Sequence, residues 1–179
     1  MFVSPEQIVK NLGIEPGMIV ADFGSGTGHY TVEAAKLVTK AGKVYSIDIQ
    51  KEMLQTLKSR CEINGLDNVE IIWADLELHE GTRLGSGLID LVIISNILFQ
   101  VDDKKAVAKE AYRIIKNTGK VAIIEWDMTE SKIGPPASQR ISSSEAAKIF
   151  EEADFSFYKN FETGDNHYGL LFRKLEKNE

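Results

Sequence analysis

The sequence predicts an α/β chain built on an open, mostly parallel sheet, with helices on both faces and an antiparallel hairpin strand at its carboxyl end. Three observations predict this. Short β-rich runs, nearly continuous in apolar residues, recur along the chain, as strands covered on both faces require. Helical patterns separate most of them, and that alternation implies right-handed crossovers between parallel neighbours. The final segment, "FSFYKNFETGDNHYGLLFRK", breaks the rhythm: two β-rich runs are joined by "ETGDN", too short for a crossover helix, so they should pair antiparallel.

Each element carries its own signal. In "SPEQIVKNLG", Ser4 caps a short helix, Pro5 takes the first helical position, Gln7 completes a capping-box spacing and Gly13 stops it. "MIVADF" is the first strand; a glycine turn follows, and a helix starts near His29. "GKVYSID" is the second strand. The segment from Lys51 places Leu54, Leu57 and Cys61 on one helical face, with Gly65 as its C-terminal cap. That spacing makes Cys61 a small core residue rather than a reactive thiol. "VEIIWAD" and "LIDLVIIS" are the third and fourth strands, and Val107, Ala111 and Ile114 share a face in the helix from Asp103. "KVAIIEWD" is the fifth strand. "SSSEAAKIFEEA" repeats the capping device with Ser142 and Glu145.

Composition narrows the function class. The 179 residues suit one buried core, so a single domain over 1–179 is expected. A net charge of -6 lacks the basic footprint that nucleic acid or an anionic membrane demands. A single cysteine excludes an internal disulfide framework and fits a reducing, cytoplasmic setting. "MFVSPEQIVK" has neither a basic start nor an apolar core of the signal-peptide kind, and "LVIISNILFQV" is too short to span a bilayer.

The chemistry concentrates at strand ends. In an open parallel sheet, ligands lie beyond the carboxyl ends of the strands. "VADFGSGTGHYT" puts Gly24, Gly26 and Gly28 there, where glycine permits positive φ and close backbone approach. The exposed N–H groups of the helix start favour an anionic group. The dinucleotide fingerprint G-x-G-x-x-G needs its last glycine at 29, where His29 stands, and a P-loop lacks its lysine. The second strand ends in Asp48, placed to accept from ribose hydroxyls, with Ile49 as an apolar face for a base. The third ends in Asp75, placed to accept from a purine amine. A nicotinamide dinucleotide stays open at this point.

These residues resemble the class I S-adenosylmethionine-dependent methyltransferases. "VADFGSGTG" is similar to the family's D-x-G-x-G-x-G motif, with Asp22, Gly24, Gly26 and Gly28 matching. Asp48 matches the ribose-holding acid, and Ala74–Leu76 ("ADL") matches the adenine-contacting segment, bringing in Asp75 and Leu76. In "DLVIISNILFQVDD", Ser95 and Asn96 occupy the place beside the methionine part of the cofactor. "IKNTGK" departs from the family's Leu-Lys-Pro-Gly-Gly turn, and "NILF" stands where nucleic-acid enzymes carry an Asn-Pro-Pro-Tyr type of segment. The likeness runs from Pro5 to Lys174. It implies a Rossmann-like seven-stranded sheet and S-adenosyl-L-methionine as cofactor, with S-adenosyl-L-homocysteine as product. It also implies in-line transfer of a methyl group to a small-molecule acceptor, in a branch similar to quinone-biosynthesis C-methyltransferases, with no metal.

For an acceptor that must lose a proton, Glu125 and Asp127 around the end of the fifth strand are the candidate catalytic bases; the alternative is a capped strand end. His29 either braces the cofactor carboxylate or caps the turn, and His79 is a surface residue. Strand alternation allows one of His167 and Tyr168 to face the site. Trp73 and Trp126 are expected to pack. In "IGPPASQRIS", Arg140 either binds the acceptor or pairs with a surface carboxylate. Two other readings stay beside methyl transfer: a nicotinamide-dependent oxidoreductase, and a non-catalytic S-adenosylmethionine-binding protein.

Overall fold

A computed structural model of the chain describes residues 3–175. Its elements in chain order are α1 (Pro5–Asn11), β1 (Ile19–Phe23), α2 (His29–Val38), β2 (Lys43–Asp48), α3 (Lys51–Ile63), β3 (Val69–Trp73), β4 (Ile89–Ser95), α4 (Lys104–Ile114), β5 (Ile115–Trp126), α5 (Ser143–Glu152), β6 (Phe155–Asn160) and β7 (His167–Lys174). One seven-stranded sheet runs in the order β3-β2-β1-β4-β5-β7-β6. The first five strands are parallel, and β7 lies antiparallel between β5 and β6. The alternation of periods predicts the parallel strands, and the family resemblance implies the Rossmann-like seven-stranded sheet that they form.

The caps form as expected from sequence. Ser4 Oγ accepts from the Gln7 N–H while Gln7 Oε1 accepts from the Ser4 N–H, so both halves of the capping box are present. Ser142 accepts from the Glu145 N–H at the start of α5, and Asp103 from the Ala106 N–H at the start of α4.

Strand alternation sorts the core into two layers. Ala21 and Phe23 of β1, Val92 and Ile94 of β4, and Val121 and Ile123 of β5 pack on one face, under α4 and α5. Val20, Leu91, Ile93, Ala122 and Ile124 pack on the other, under α1 and α2. Leu54, Leu57 and Cys61 of α3 cover the neighbouring strip beside Val69 and Ile71. Cys61 is buried there, and burial raises its thiol pKa, as a core residue requires.

Two expectations change. The fifth strand begins at Ile115, not near Lys120, because "KNTGK" continues it through a bulge opposite β4 between Ile89 and Leu91. The third strand is not covered on both faces. As the sheet edge, its side chains are only partly buried and Trp73 is exposed.

Candidate functional site

The order of the sheet reverses between β1 and β4: one half winds outward to β3, the other toward β6. A crevice at such a switch point is where open α/β sheets bind ligands. The glycine turn closes its floor. Gly24, Gly26 and Gly28 all adopt positive φ, at 67°, 53° and 84°. Two of these glycines are required by packing. A Cβ on Gly24 would lie 2.1 Å from Ile97 Cγ2, and one on Gly28 2.1 Å from Leu57 Cδ1. Gly26 differs, since nothing lies within 4 Å of its missing Cβ and it faces the open crevice.

Asp48 fastens the turn. Its Oδ2 accepts from the Gly26 N–H at 2.8 Å and its Oδ1 from the Gln50 N–H at 2.8 Å. Each carboxylate oxygen keeps a further lone pair. The crevice, about 380 Å³, is bounded by Gly24, Gly26, Asp48 and Ile49 on one side and by Ala74, Asp75 and Leu76 on another. Ser95 and Asn96 close it from the end of β4. The structure thus gathers eight of the ten expected cofactor residues: Gly24, Gly26, Asp48, Ile49, Asp75, Leu76, Ser95 and Asn96.

Asp22 and Gly28, the other two expected cofactor residues, do not line the crevice. Asp22 alternates onto the α2 side of β1, where it is 1% exposed and accepts from Thr31 Oγ1 at 2.6 Å. Burial raises its pKa to about 6. It therefore anchors the start of α2 beneath the turn. Gly28 caps that helix in the left-handed region against Leu57.

Sequence reasoning missed Gln50, Met53, Glu77, Ile97, Gln100 and Val101, which complete the lining. Met53 sits in the first turn of α3, directly after the Asp48 end, and that adjacency was a readable signal. The others arrive by loop geometry that no short motif encodes.

Among the described residues, the lining contains Asp48, Asp75 and Glu77 and no Lys, Arg or His. Asn96, at φ 55°, holds its Oδ1 buried with no hydrogen-bond partner. An acceptor-rich, cation-free crevice suits a ligand that carries hydroxyls, an amine and positive charge. It does not suit a pyrophosphate. S-adenosylmethionine has those donors and that charge, so the residues present fit it.

A second cavity of about 500 Å³ adjoins the first, and Asn96 lines both. It lies on the α1 and α2 side of the sheet, with Ile8, Tyr30, Ile124, Trp126 and Ile133 giving it an apolar wall. Burial raises the Tyr30 pKa, while Ser95 beside it across the boundary acts the other way. His29 and His167 also line it. Burial and the nearby Arg60 hold the His29 pKa below its usual value, and burial does the same for His167. Arg60 can only donate, so its 3.2 Å contact makes His29 Nδ1 an acceptor.

The two candidate bases do not line either cavity. Glu125 was expected to face the acceptor space, but alternation turns it to the α4 and α5 face, away from Ile124 and Trp126. It is 0% exposed, and Oε1 accepts from the Leu98 N–H at 2.7 Å. Its Oε2 has no partner, and burial raises its pKa to about 7. It clasps the loop after β4. Asp127 turns its carboxylate to the Thr129 N–H instead, a capped strand end.

Arg140 likewise lines neither cavity. Its guanidinium is buried and donates to the carbonyls of Pro135, Asp127, Thr129 and Ile133. It ties the loop after β5 into a closed wrap over Trp126, whose ring lies against Gly134. His79 is an exposed surface residue. Of the last-strand pair, His167 faces the cavity, while Tyr168 turns inward and donates to the Ile141 carbonyl.

With this geometry in view, the comparisons with known proteins agree. The family described as "Methyltransferase domain" matches residues 14–168. A demethylmenaquinone methyltransferase from a Geobacillus species is 31% identical over 67% of this chain and 50% of its own length. The ubiquinone/menaquinone biosynthesis C-methyltransferase UbiE of Hydrogenovibrio crunogenus is 33% identical over 69% of this chain and 46% of its own. The chain therefore spans about half the length of the curated relatives it matches. Among solved structures, an S-adenosylmethionine-dependent methyltransferase from Aquifex aeolicus superposes with a TM-score of 0.86 at 29% identity, covering 94% of this chain and 88% of that one.

Proposed function

We propose a specific reading from the premise that this chain belongs to the class I S-adenosylmethionine-dependent methyltransferase family. It binds S-adenosyl-L-methionine in the first crevice and methylates a small, uncharged, largely apolar ring compound held in the second cavity. The observation that carries this reading is the meeting of the two cavities at Asn96, one rich in acceptors and free of cations, the other with an apolar wall of Ile8, Ile124, Trp126 and Ile133.

When bound, the cofactor supplies a methyl group on a positively charged sulfur, already activated for displacement. The chain's own residues do the positioning. Asp48 and the Gly26 backbone would hold the ribose end, Asp75 and Leu76 the adenine, and Ser95 and Asn96 the amino-acid end at the boundary. Tyr30 and Trp126 would hold the acceptor ring against that boundary and keep water out. Alignment of two reactants in this way is worth ~7–11 kcal/mol in well-oriented cases.

Full charge in the second cavity comes only from Asp165 among its lining side chains when both histidines are neutral, which supports a neutral acceptor over an anionic one. The relatives named as quinone-biosynthesis methyltransferases support a ring compound. No helix among the described residues is long and apolar enough to cross a membrane. The composition supports a cytoplasmic setting for residues 1–179 acting as one domain. The test is calorimetry with S-adenosylmethionine and with NAD, followed by transfer of labelled methyl to 1,4-dihydroxynaphthalene kept reduced. Binding of the first alone with labelled product supports the reading. Binding without transfer to this or any extract component would mark a non-catalytic binding protein, and binding of NAD alone would overturn the cofactor assignment.

A further inference from the structure

We propose that His167 is the base of the reaction, taking the proton from a hydroxyl of the ring acceptor as the methyl group is transferred; this rests on the methyl-transfer reading above. His167 opens β7 directly beside Trp126 in the β5–β7 register, on the face that carries the second cavity. Their ring centroids are 4.1 Å apart at an interplanar angle of 36°, so the imidazole is held in one orientation. A neutral imidazole has one N–H and one bare nitrogen, so the ring brings a proton acceptor to a cavity that also holds Asp165 and the apolar wall of Ile124, Trp126 and Ile133.

The charged groups around it come from three elements. Asp127 follows β5, Arg140 closes the wrapped loop, and Asp165 precedes β7. Arg140 is engaged with four carbonyls, and His29 and Tyr30 share the cavity from α2. Burial outweighs the acids and keeps the ring neutral at pH 7, the state a base needs. Glu125 and Asp127 are turned to backbone N–H groups and face neither cavity.

In the step, the hydroxyl proton passes to the bare nitrogen of His167, giving imidazolium. The electron pair so released makes the new bond to the methyl carbon, from the oxygen itself or, through the ring, from its ortho carbon, where tautomerisation restores the aromatic ring. The carbon–sulfur pair stays with sulfur, which departs as a neutral thioether. Imidazolium then returns its proton to water.

The experiment has two independent readouts on the full chain. Nitrogen-15 NMR of the histidine side chains, with His167→Gln for assignment, is recorded with S-adenosylhomocysteine bound and 1,4-dihydroxynaphthalene added under reducing conditions. One protonated and one bare nitrogen at pH 7, with the bare signal moving when the naphthalenediol is added, is the expected result. A doubly protonated ring, or a ring unmoved by the saturating diol, overturns the assignment whether or not methylation is seen. In turnover, His167→Gln should lower kcat by roughly 10²–10⁴-fold, remove the acidic limb of the pH–rate profile and leave the cofactor Kd unchanged. A variant with wild-type kcat, or with cofactor affinity lost in parallel, contradicts it. Failure of the wild-type chain to methylate the diol counts against the acceptor class alone, because the NMR result still decides the histidine.

Discussion

Asp48 Oδ2 accepts a hydrogen bond from the Gly26 N–H at 2.8 Å, so the acid that ends β2 is fastened to the glycine turn that ends β1. The same carboxylate that would grip a ribose therefore also sets the shape of the turn beside it.

Asp48→Ala should weaken S-adenosylmethionine binding by roughly tenfold or more, because it removes a charge-assisted acceptor and releases the turn together. Isothermal calorimetry measures this directly. Asp48→Asn, which keeps one acceptor oxygen, should lie between the two, and an unchanged affinity in the alanine variant would remove Asp48 from the site.

Gly26 and Gly28 should separate stability from binding. Gly28→Ala combines left-handed strain with overpacking against fully buried Leu57 and should cost about 2–4 kcal/mol in urea unfolding. Gly26→Ala meets no atom and should cost about 1–2 kcal/mol from strain alone. It should nonetheless lower cofactor affinity, since its methyl group enters the crevice. Equal stability losses at the two positions would contradict the packing described.

Glu125 should make stability fall with rising pH. Its folded pKa, about 7, lies above the ordinary carboxylate value of 4.5. The native state therefore holds a proton that the unfolded chain has already lost across that window. Stability drops from pH 4.5 to 7 and levels off above, by on the order of 3 kcal/mol for a shift of that size. Glu125→Gln should flatten this slope in denaturation curves recorded at pH 5 and pH 8, while keeping an acceptor for the Leu98 N–H.

Arg140→Ala should act on stability rather than on ligand affinity. It leaves carbonyls in the wrapped loop without their donor and should cost about 3 kcal/mol in chemical unfolding. Cofactor Kd from calorimetry should be unchanged. A variant with wild-type stability would show that the loop is held by other contacts.

Much of this protein was legible in the order of its residues. The alternation of apolar runs and amphipathic segments dictates a parallel sheet, since only crossovers of that length return a strand to the same edge. "VADFGSGTG", Asp48 and "ADL" end three successive strands, and a parallel sheet brings such ends together on one rim. That is why eight of the ten expected cofactor residues lie in one crevice. The local caps at Ser4 and Ser142 were equally plain, because a cap depends on residues three apart and nothing distant.

What the sequence could not state was which way a side chain turns once its strand is paired, and what then lies over it. Glu125 and Trp126 are neighbours in the chain, yet one is sealed under α4 and α5 and the other lines a cavity with His167. Arg140 reads as a donor to an acceptor or to a surface carboxylate until the loop folds back and presents it with four carbonyls. Strand periodicity sets only that neighbours part to opposite faces. Which face holds a cavity depends on helices and loops from distant segments, and that choice belongs to the tertiary structure alone.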